Sequence, residues 1–175
     1  WINLIKKHNC TIFIGVPTIY RQIIQKTDFS LNVCPSLRYC MSAGEHLSDE
    51  MLGLWRERFN QDIYEAIGMS ECSYYISHSI FNPIRPGSAG FVQPGHTVKL
   101  LDPDTLEEVE DGEEGMISIG EDDPGLFLEY WQLEEETAKS RHDGYFFTGD
   151  YAKKDKDGYI WFIGRKDDII NTFGF

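Results

Sequence analysis

Four short stretches of this 175-residue chain hold the side chains best suited to chemistry. In chain order they are Ser42-Ala43-Gly44-Glu45, Gly68-Met69-Ser70-Glu71, Thr148-Gly149-Asp150 and Gly164-Arg165-Lys166-Asp167-Asp168. Each sets a charged group beside a glycine, in sequence that reads as a strand end or a turn. A glycine there lets the backbone approach a ligand closely, so Ala43-Gly44-Glu45 suits the edge of a nucleotide base. A carboxylate such as Glu71, next to phosphates, is a sound Mg²⁺ ligand, because Mg²⁺ takes one or two carboxylates, phosphate oxygens and water. The Ser70 hydroxyl can donate to a phosphate oxygen, and Asp150 can accept from ribose hydroxyls. Arg165 can offset developing negative charge. Each stretch also has an ordinary alternative. Glu45 would then be a solvated first-turn acid, Glu71 a loop glutamate, Asp150 a turn cap and Arg165 one half of a rim ion pair. It is the four together, in this order, that carry information.

The elements that must position these groups fall into two textures. In residues 1–90 helical and strand patterns alternate. Trp1 to Asn9 reads as a short amphipathic helix and Thr11 to Val16 as a buried strand. Pro17 opens a helix running to about Lys26, since proline is tolerated in a first turn. Leu37 to Ser42 is the next strand. Ser48 caps a helix to about Phe59, and Asp62 to Ile67 is a third strand, ending at Gly68. Helices alternating with apolar strands predict parallel strands with covering helices. From about Gly87 glycine and proline become frequent. Thr97–Leu101, Met116–Ile119, Tyr145–Phe147 and Tyr159–Ile163 read as short strands, Lys156-Asp157-Gly158 as a hairpin turn, and Leu133 to Ser140 as a helix. This half predicts a small, mostly antiparallel β subdomain, with the acids from Asp102 to Asp123 capping turns in solvent.

Composition excludes several classes. Hydrophobic residues make up 41% of the chain and aromatics 14%, as in globular proteins. A net charge of −13 without a basic stretch argues against nucleic acid and anionic membrane surfaces as partners. No apolar run approaches the roughly 20 residues of a membrane helix. The four cysteines form no CxxC pair, which argues against zinc, and a reducing, cytoplasmic setting fits them better than a disulfide framework. The chain starts without Met and ends inside the apolar Phe173-Gly174-Phe175, so both ends read as cut.

With Val16-Pro17-Thr18 opening a helix, the four stretches resemble the superfamily of adenylate-forming enzymes: acyl- and aryl-CoA synthetases, peptide-synthetase adenylation domains and firefly-type luciferases. Ala66-Ile67-Gly68-Met69-Ser70-Glu71 is closer to the acyl- and aryl-CoA ligase form. The resemblance implies an α/β fold. The chain would be the latter part of a large N-terminal domain, with residues 1–90 in a parallel-sheet layer, 91–163 in a β-rich subdomain and 164–175 in a hinge to a C-terminal domain. It implies that Ala43, Gly44, Glu45, Ile67, Gly68, Ser70, Asp150 and Arg165 bind the nucleotide, and that Glu71 holds Mg²⁺. Asp167 would be the pivot of a domain rotation, and Gly174 would lie near the path of the thiol acceptor. The chain departs from the family pattern at Ile67, where many relatives stack an aromatic on adenine, at Asn171 in place of a frequent lysine, and at Phe147 where a basic residue often stands. A Gly/Ser/Thr-rich phosphate loop is expected upstream and a catalytic lysine downstream.

The resemblance further implies a two-step reaction on a carboxylic acid, with ATP and coenzyme A as co-substrates. The carboxylate attacks the α-phosphate of ATP, and the coenzyme A thiol then attacks the acyl-adenylate. Aromatic residues near Tyr64–Ile67 and Tyr74-Tyr75-Ile76 are candidates for lining an acyl pocket. Transfer to a carrier protein, and a non-catalytic nucleotide-binding or interaction module, are the alternatives. The oligomeric state stays open.

Overall fold

The computed structural model describes residues 1–28 and 33–165. Asp167 and Gly174 lie outside the described residues. The described chain divides into two units, the first of residues 1–67 and 78–87, the second of 68–77 and 88–165. Residues 68–77 therefore belong with the β-rich half although they sit within the first 90 residues.

The first unit opens with α1 (Ile2–Lys7), β1 (Ile12–Gly15), α2 (Pro17–Lys26), β2 (Tyr39–Ala43), α3 (Asp49–Phe59) and most of β3 (Ile63–Met69). β1 pairs parallel with β2, and β2 with β3, as the alternation of strands and helices predicts. Pro17 stands at the start of α2, where its missing N–H costs nothing. Ser48 accepts from the Met51 N–H at 3.3 Å, and Asn60 closes α3 in the left-handed conformation. A chain of aromatic contacts fixes both helices to the strands. Phe13 meets Tyr20 at 5.3 Å, Tyr20 meets Trp55 edge-on at 4.8 Å, and Trp55 stacks on Phe59 at 4.1 Å. The buried Tyr20 hydroxyl donates to the Met41 carbonyl at 2.7 Å, tying α2 to β2. The apolar run Thr11–Val16, read as a buried strand, is buried on one face only. Phe13 points into the core, while Ile12 and Ile14 are about half exposed.

The second unit contains β4 (Ser73–Ser77), β5 (Phe91–Val92), β6 (Val98–Leu101), β7 (Glu114–Gly120), α4 (Glu134–Lys139), β8 (Arg141–His142), β9 (Tyr145–Lys154) and β10 (Ile160–Arg165). β4 and β5 pair antiparallel. The larger sheet has the order β10-β9-β7-β6, antiparallel throughout, with β8 alongside β9. Ile117, Ile119, Phe146, Leu100 and Ile160 form its buried face. The Lys156-Asp157-Gly158 turn joins β9 to β10, with the Asp155 carboxylate accepting from the Asp157 and Tyr159 N–H groups at 3.0 Å. β9 runs to Lys154 instead of stopping at Phe147, so Thr148-Gly149-Asp150 lies inside a strand and not at its end.

The acidic segment divides as well. Asp102 caps a turn, accepting from the Asp104 and Thr105 N–H groups at 2.9 Å. Asp123 instead is buried and holds His96 at 3.0 Å. Among the described residues no helix is long and apolar enough to cross a membrane.

Two expectations follow from packing. A methyl group added at Gly68 would collide with the Ser73 carbonyl oxygen and lie 2.6 Å from the Tyr74 ring. Gly68→Ala should therefore cost about 1–3 kcal/mol by overpacking, read as a lower urea midpoint. His78 is buried, and desolvation drives its pKa from 6.5 down to about 4. The unfolded chain takes up that proton near pH 6.5 and the folded chain resists it until about pH 4. Stability present above pH 6.5 is thus lost as pH falls through that window, by about 2–3 kcal/mol. Urea titrations at several pH values should show this slope flattened in His78→Gln.

Candidate functional site

Gly68 dictates the geometry of the turn that follows it. With no side chain, β3 can run against the Ser73 backbone of β4, and the chain reverses through Met69–Cys72. The Cys72 N–H donates to the Met69 carbonyl at 3.2 Å. Ser70 and Glu71 are the residues this turn projects. Ser70 is exposed and Glu71 is half-buried. The Glu71 carbonyl accepts from the Phe127 N–H at 2.6 Å, and its Oε1 accepts from the Tyr130 hydroxyl at 2.9 Å.

The Thr148-Gly149-Asp150 motif forms a bulge. Between the pairs Met116–Tyr151 and Ser118–Phe147, β7 advances two positions and β9 advances four. Two extra residues on β9 are taken up here, and Gly149 absorbs the distortion with φ of +80°. The Thr148 hydroxyl pins the bulge, donating to the Ile117 carbonyl at 2.8 Å and accepting from the Asp150 N–H at 3.1 Å. A second register shift, between Phe162 and Gly164 on β10, puts Arg165 opposite Asp150. Arg165 Nη1 then meets Asp150 Oδ1 at 3.1 Å, with the aspartate mostly buried. A side chain at Gly149 would press on that guanidinium at 3.4 Å.

Glu71 belongs to the same electrostatic neighbourhood. The buried Tyr75 hydroxyl is raised far above its usual range by burial, then by Asp150 and Cys72, with Arg165 opposing and Glu71 adding to the rise. Burial and Glu71 push Tyr130 up to about 12, again against Arg165. Two carboxylates, one guanidinium and two tyrosine hydroxyls are thus gathered within the second unit. The Tyr75 oxygen is fully buried and has no hydrogen-bond partner among the described residues. Tyr75 and Ile76, offered as acyl-pocket candidates, are both fully buried core residues.

The remaining candidates lie in the first unit. Ala43 ends β2, and Gly44 turns the chain with φ of +89°, a conformation glycine adopts freely. Glu45 follows on the half-buried side of this turn, and Ile67 is half-buried in β3. A residue not singled out in the sequence holds the turn in place. The buried Glu65 carboxylate contacts His46 Nδ1 at 3.1 Å and accepts from the Leu47 N–H at 3.4 Å. Burial raises the Glu65 pKa and His46 offsets part of the rise. The signal for it was the single acid in the apolar run of β3.

Cys72, His96 and Asp123 also come together, with ligand-type atoms within 4.8 Å of one another. Their donor types would suit a transition metal, but the carboxylate is already committed. Asp123 accepts from Gly125 N–H at 2.8 Å and Thr97 N–H at 2.9 Å besides His96. Burial pushes Asp123 up, yet these hydrogen bonds prevail and its pKa falls below the usual range. Burial and Asp123 raise the Cys72 thiol to about 11, so it stays protonated. The cluster is a hydrogen-bonded clasp behind the Glu71 turn.

The model of the "AMP-binding enzyme" family matches residues 1–131. The mitochondrial acyl-coenzyme A synthetase ACSM3 of Mus musculus is 35% identical over 99% of this chain. A 3-hydroxybenzoate–CoA ligase of Aromatoleum is 33% identical over 99%. These alignments cover 30% and 33% of the relatives, so the chain spans about a third of their length. Among solved structures, apo MatB from Rhodopseudomonas palustris superimposes with a TM-score of 0.86 at 30% identity, covering all of this chain and 35% of that one. An anthranilate CoA ligase, AuaEII, in complex with anthranoyl-AMP, gives 0.85 at 33% identity, covering 99% of this chain and 33% of that one. The parallel layer, the antiparallel sheet after it and the ordered motifs agree with these matches: the chain belongs to the AMP-binding enzyme family and is homologous to part of the acyl- and aryl-CoA synthetases.

Proposed function

We propose that this chain contributes the nucleotide-handling part of a ligase that activates a carboxylic acid with ATP and transfers the acyl group to the thiol of coenzyme A. The observation that carries the reading is the gathering of Glu71, Asp150 and Arg165 in one unit, Glu71 presented by the close turn at Gly68, Asp150 by the Gly149 bulge and Arg165 by the register shift on β10. Relatives described as acyl-CoA and 3-hydroxybenzoate–CoA ligases support it, as does a MatB structure at 30% identity described as ATP-bound.

In the first step a carboxylate oxygen attacks the α-phosphorus. A P–O bond forms, and the bond to the β-phosphate oxygen breaks to release pyrophosphate. In the second step the thiol sulfur attacks the acyl carbon and AMP leaves with the electron pair of the broken C–O bond, while the thiol proton passes to solvent. Two anions meet in the first step, so positive charge must be supplied. Arg165 supplies one such charge, and Asp150 aims it. Asp150 would also accept from ribose hydroxyls. Glu71 fits an Mg²⁺ ligand: it is half-buried, one oxygen is held by Tyr130, and the other has no donor among the described residues. Bound there, Mg²⁺ would offset phosphate charge. The Gly44 turn, with backbone exposed beside Ala43 and Glu45, suits the base edge, and Ile67 offers apolar contact in place of stacking.

Two substitutions in the full polypeptide carrying residues 1–175 test this. Glu71→Gln should lower ATP–pyrophosphate exchange by about 2–4 kcal/mol of transition-state stabilisation, and most at limiting Mg²⁺. Exchange kinetics equal to wild type at limiting Mg²⁺ would remove the ligand role. Asp150→Ala should raise KM for ATP but matter far less for a 2′,3′-dideoxy analogue, which has no hydroxyls to bind. An equal loss with both nucleotides would make Asp150 a structural residue.

A further inference from the structure

We infer that Tyr130 is a positioning residue for Glu71, fixing one carboxylate oxygen so that the other is presented to Mg²⁺; this rests on the reading of Glu71 as the metal ligand. The Tyr130 hydroxyl donates to Glu71 Oε1 at 2.9 Å, and this is the carboxylate's one hydrogen bond among the described residues. Three residues back, the Phe127 N–H holds the Glu71 carbonyl at 2.6 Å. One segment therefore grips Glu71 twice, by backbone and by side chain. Two-point attachment fixes both the place of the residue and the rotation of its carboxylate.

The gripping segment is itself braced from three sides. Phe127 packs against Tyr130 at 4.6 Å and edge-on against the buried Phe146 of β9 at 5.3 Å. Arg141 of β8 lies over the Phe127 ring at 5.5 Å and donates to the carbonyls of Phe127 and Leu128 at 3.1 and 2.7 Å. The Tyr130 N–H donates to the Thr137 hydroxyl of α4 at 3.0 Å, and its carbonyl accepts from the Leu133 N–H at 3.0 Å. Tyr130 thus reaches Glu71 from a fixed base and not from a loose loop. Preorganised ligands of this kind gain affinity because the rotation of the ligating group is restricted before the cation arrives.

The test compares Tyr130→Phe, Glu71→Gln and the double substitution in the full polypeptide, by ATP–pyrophosphate exchange across a Mg²⁺ titration. Thermal melting without ligand checks folding, and the rise in Tm that Mg²⁺ adds in the presence of ATP reads binding apart from turnover: this rise should shrink in Tyr130→Phe and be small in Glu71→Gln with or without Tyr130→Phe. Tyr130→Phe keeps the ring and its packing and removes only the donor. It should raise the Mg²⁺ concentration for half-maximal exchange about threefold to tenfold, with a larger loss at limiting than at saturating Mg²⁺. In the Glu71→Gln background the same change should add less than about twofold, because the two residues act as one unit. If Glu71→Gln shifts the Mg²⁺ requirement and Tyr130→Phe does not, the inference fails and the ligand reading stands. If Tyr130→Phe lowers exchange equally at all Mg²⁺ concentrations, or does so in both backgrounds, Tyr130 is a packing residue and the inference fails. If neither single substitution moves the Mg²⁺ requirement, the ligand reading fails and takes the inference with it.

Discussion

The close passage of the β3 backbone past Ser73 at Gly68 is the constraint on which the rest of the site depends. No side chain fits there. The consequence is a four-residue reversal that throws Ser70 and Glu71 outward while Cys72 and Tyr75 turn inward to complete burial. The turn is short, and the Cys72 N–H to Met69 carbonyl bond is an internal tie that it has among the described residues. It is also held from outside. Phe127 and Tyr130 grip Glu71 on one side, and the Cys72–His96–Asp123 clasp secures the other. Under the proposed reading, a carboxylate that is to hold a cation must be neither free to rotate nor neutralised by a permanent cationic partner, and the Glu71 carboxylate is held by a neutral hydroxyl.

The two other charged candidates meet a different requirement. Asp150 and Arg165 neutralise each other at 3.1 Å, and a mostly buried pair of this kind is weak evidence for stability because desolvation offsets its attraction. Its value is orientation. The aspartate is fixed by a threonine-pinned bulge and the guanidinium by a register shift on the neighbouring strand. An arginine whose angle is set in advance can meet a planar or tetrahedral anion without further ordering cost.

Much of the first unit was legible because its signals are local. Pro17 at the start of α2, Ser48 before α3 and the apolar runs of β2 and β3 each act within a turn or two of chain. The strands that escaped detection are those too short or too weakly patterned to carry a signal of their own. β5 and β8 are two residues each and are strands only because β4 and β9 lie beside them. β4, Ser73-Tyr74-Tyr75-Ile76-Ser77, does not read as a strand, since its apolar residues run together without alternation. The outer face of β1 was misjudged because an uninterrupted apolar run does not reveal which face is covered. Only alternation does, and Thr11–Val16 has none. The motifs singled out Glu71, Asp150 and Arg165 as candidates but gave no sign of the contacts made by Glu65, Tyr130 and Asp123. Those three act through contacts 18 to 59 residues away in sequence, and spacing carries no record of that.

The Thr148-Gly149-Asp150 bulge shows how a motif can be found and its structural place still be mistaken. Threonine, glycine and aspartate are turn residues by propensity, and a turn was the natural reading. The same properties serve a bulge. Glycine supplies the positive φ, and threonine satisfies one backbone carbonyl and one N–H that the broken ladder would leave unpaired. What distinguishes the two outcomes is the flanking sequence. Tyr151 and Ala152 continue the strand, Ala152 is fully buried, and both pair with β7. A turn would reverse the chain and send Asp150 into solvent. A bulge keeps the direction of the strand and changes only where the side chain points, so the aspartate stays mostly buried and faces Arg165. The extra residues on β9 are therefore the means by which a regular antiparallel sheet, otherwise suited only to packing, presents a charged pair.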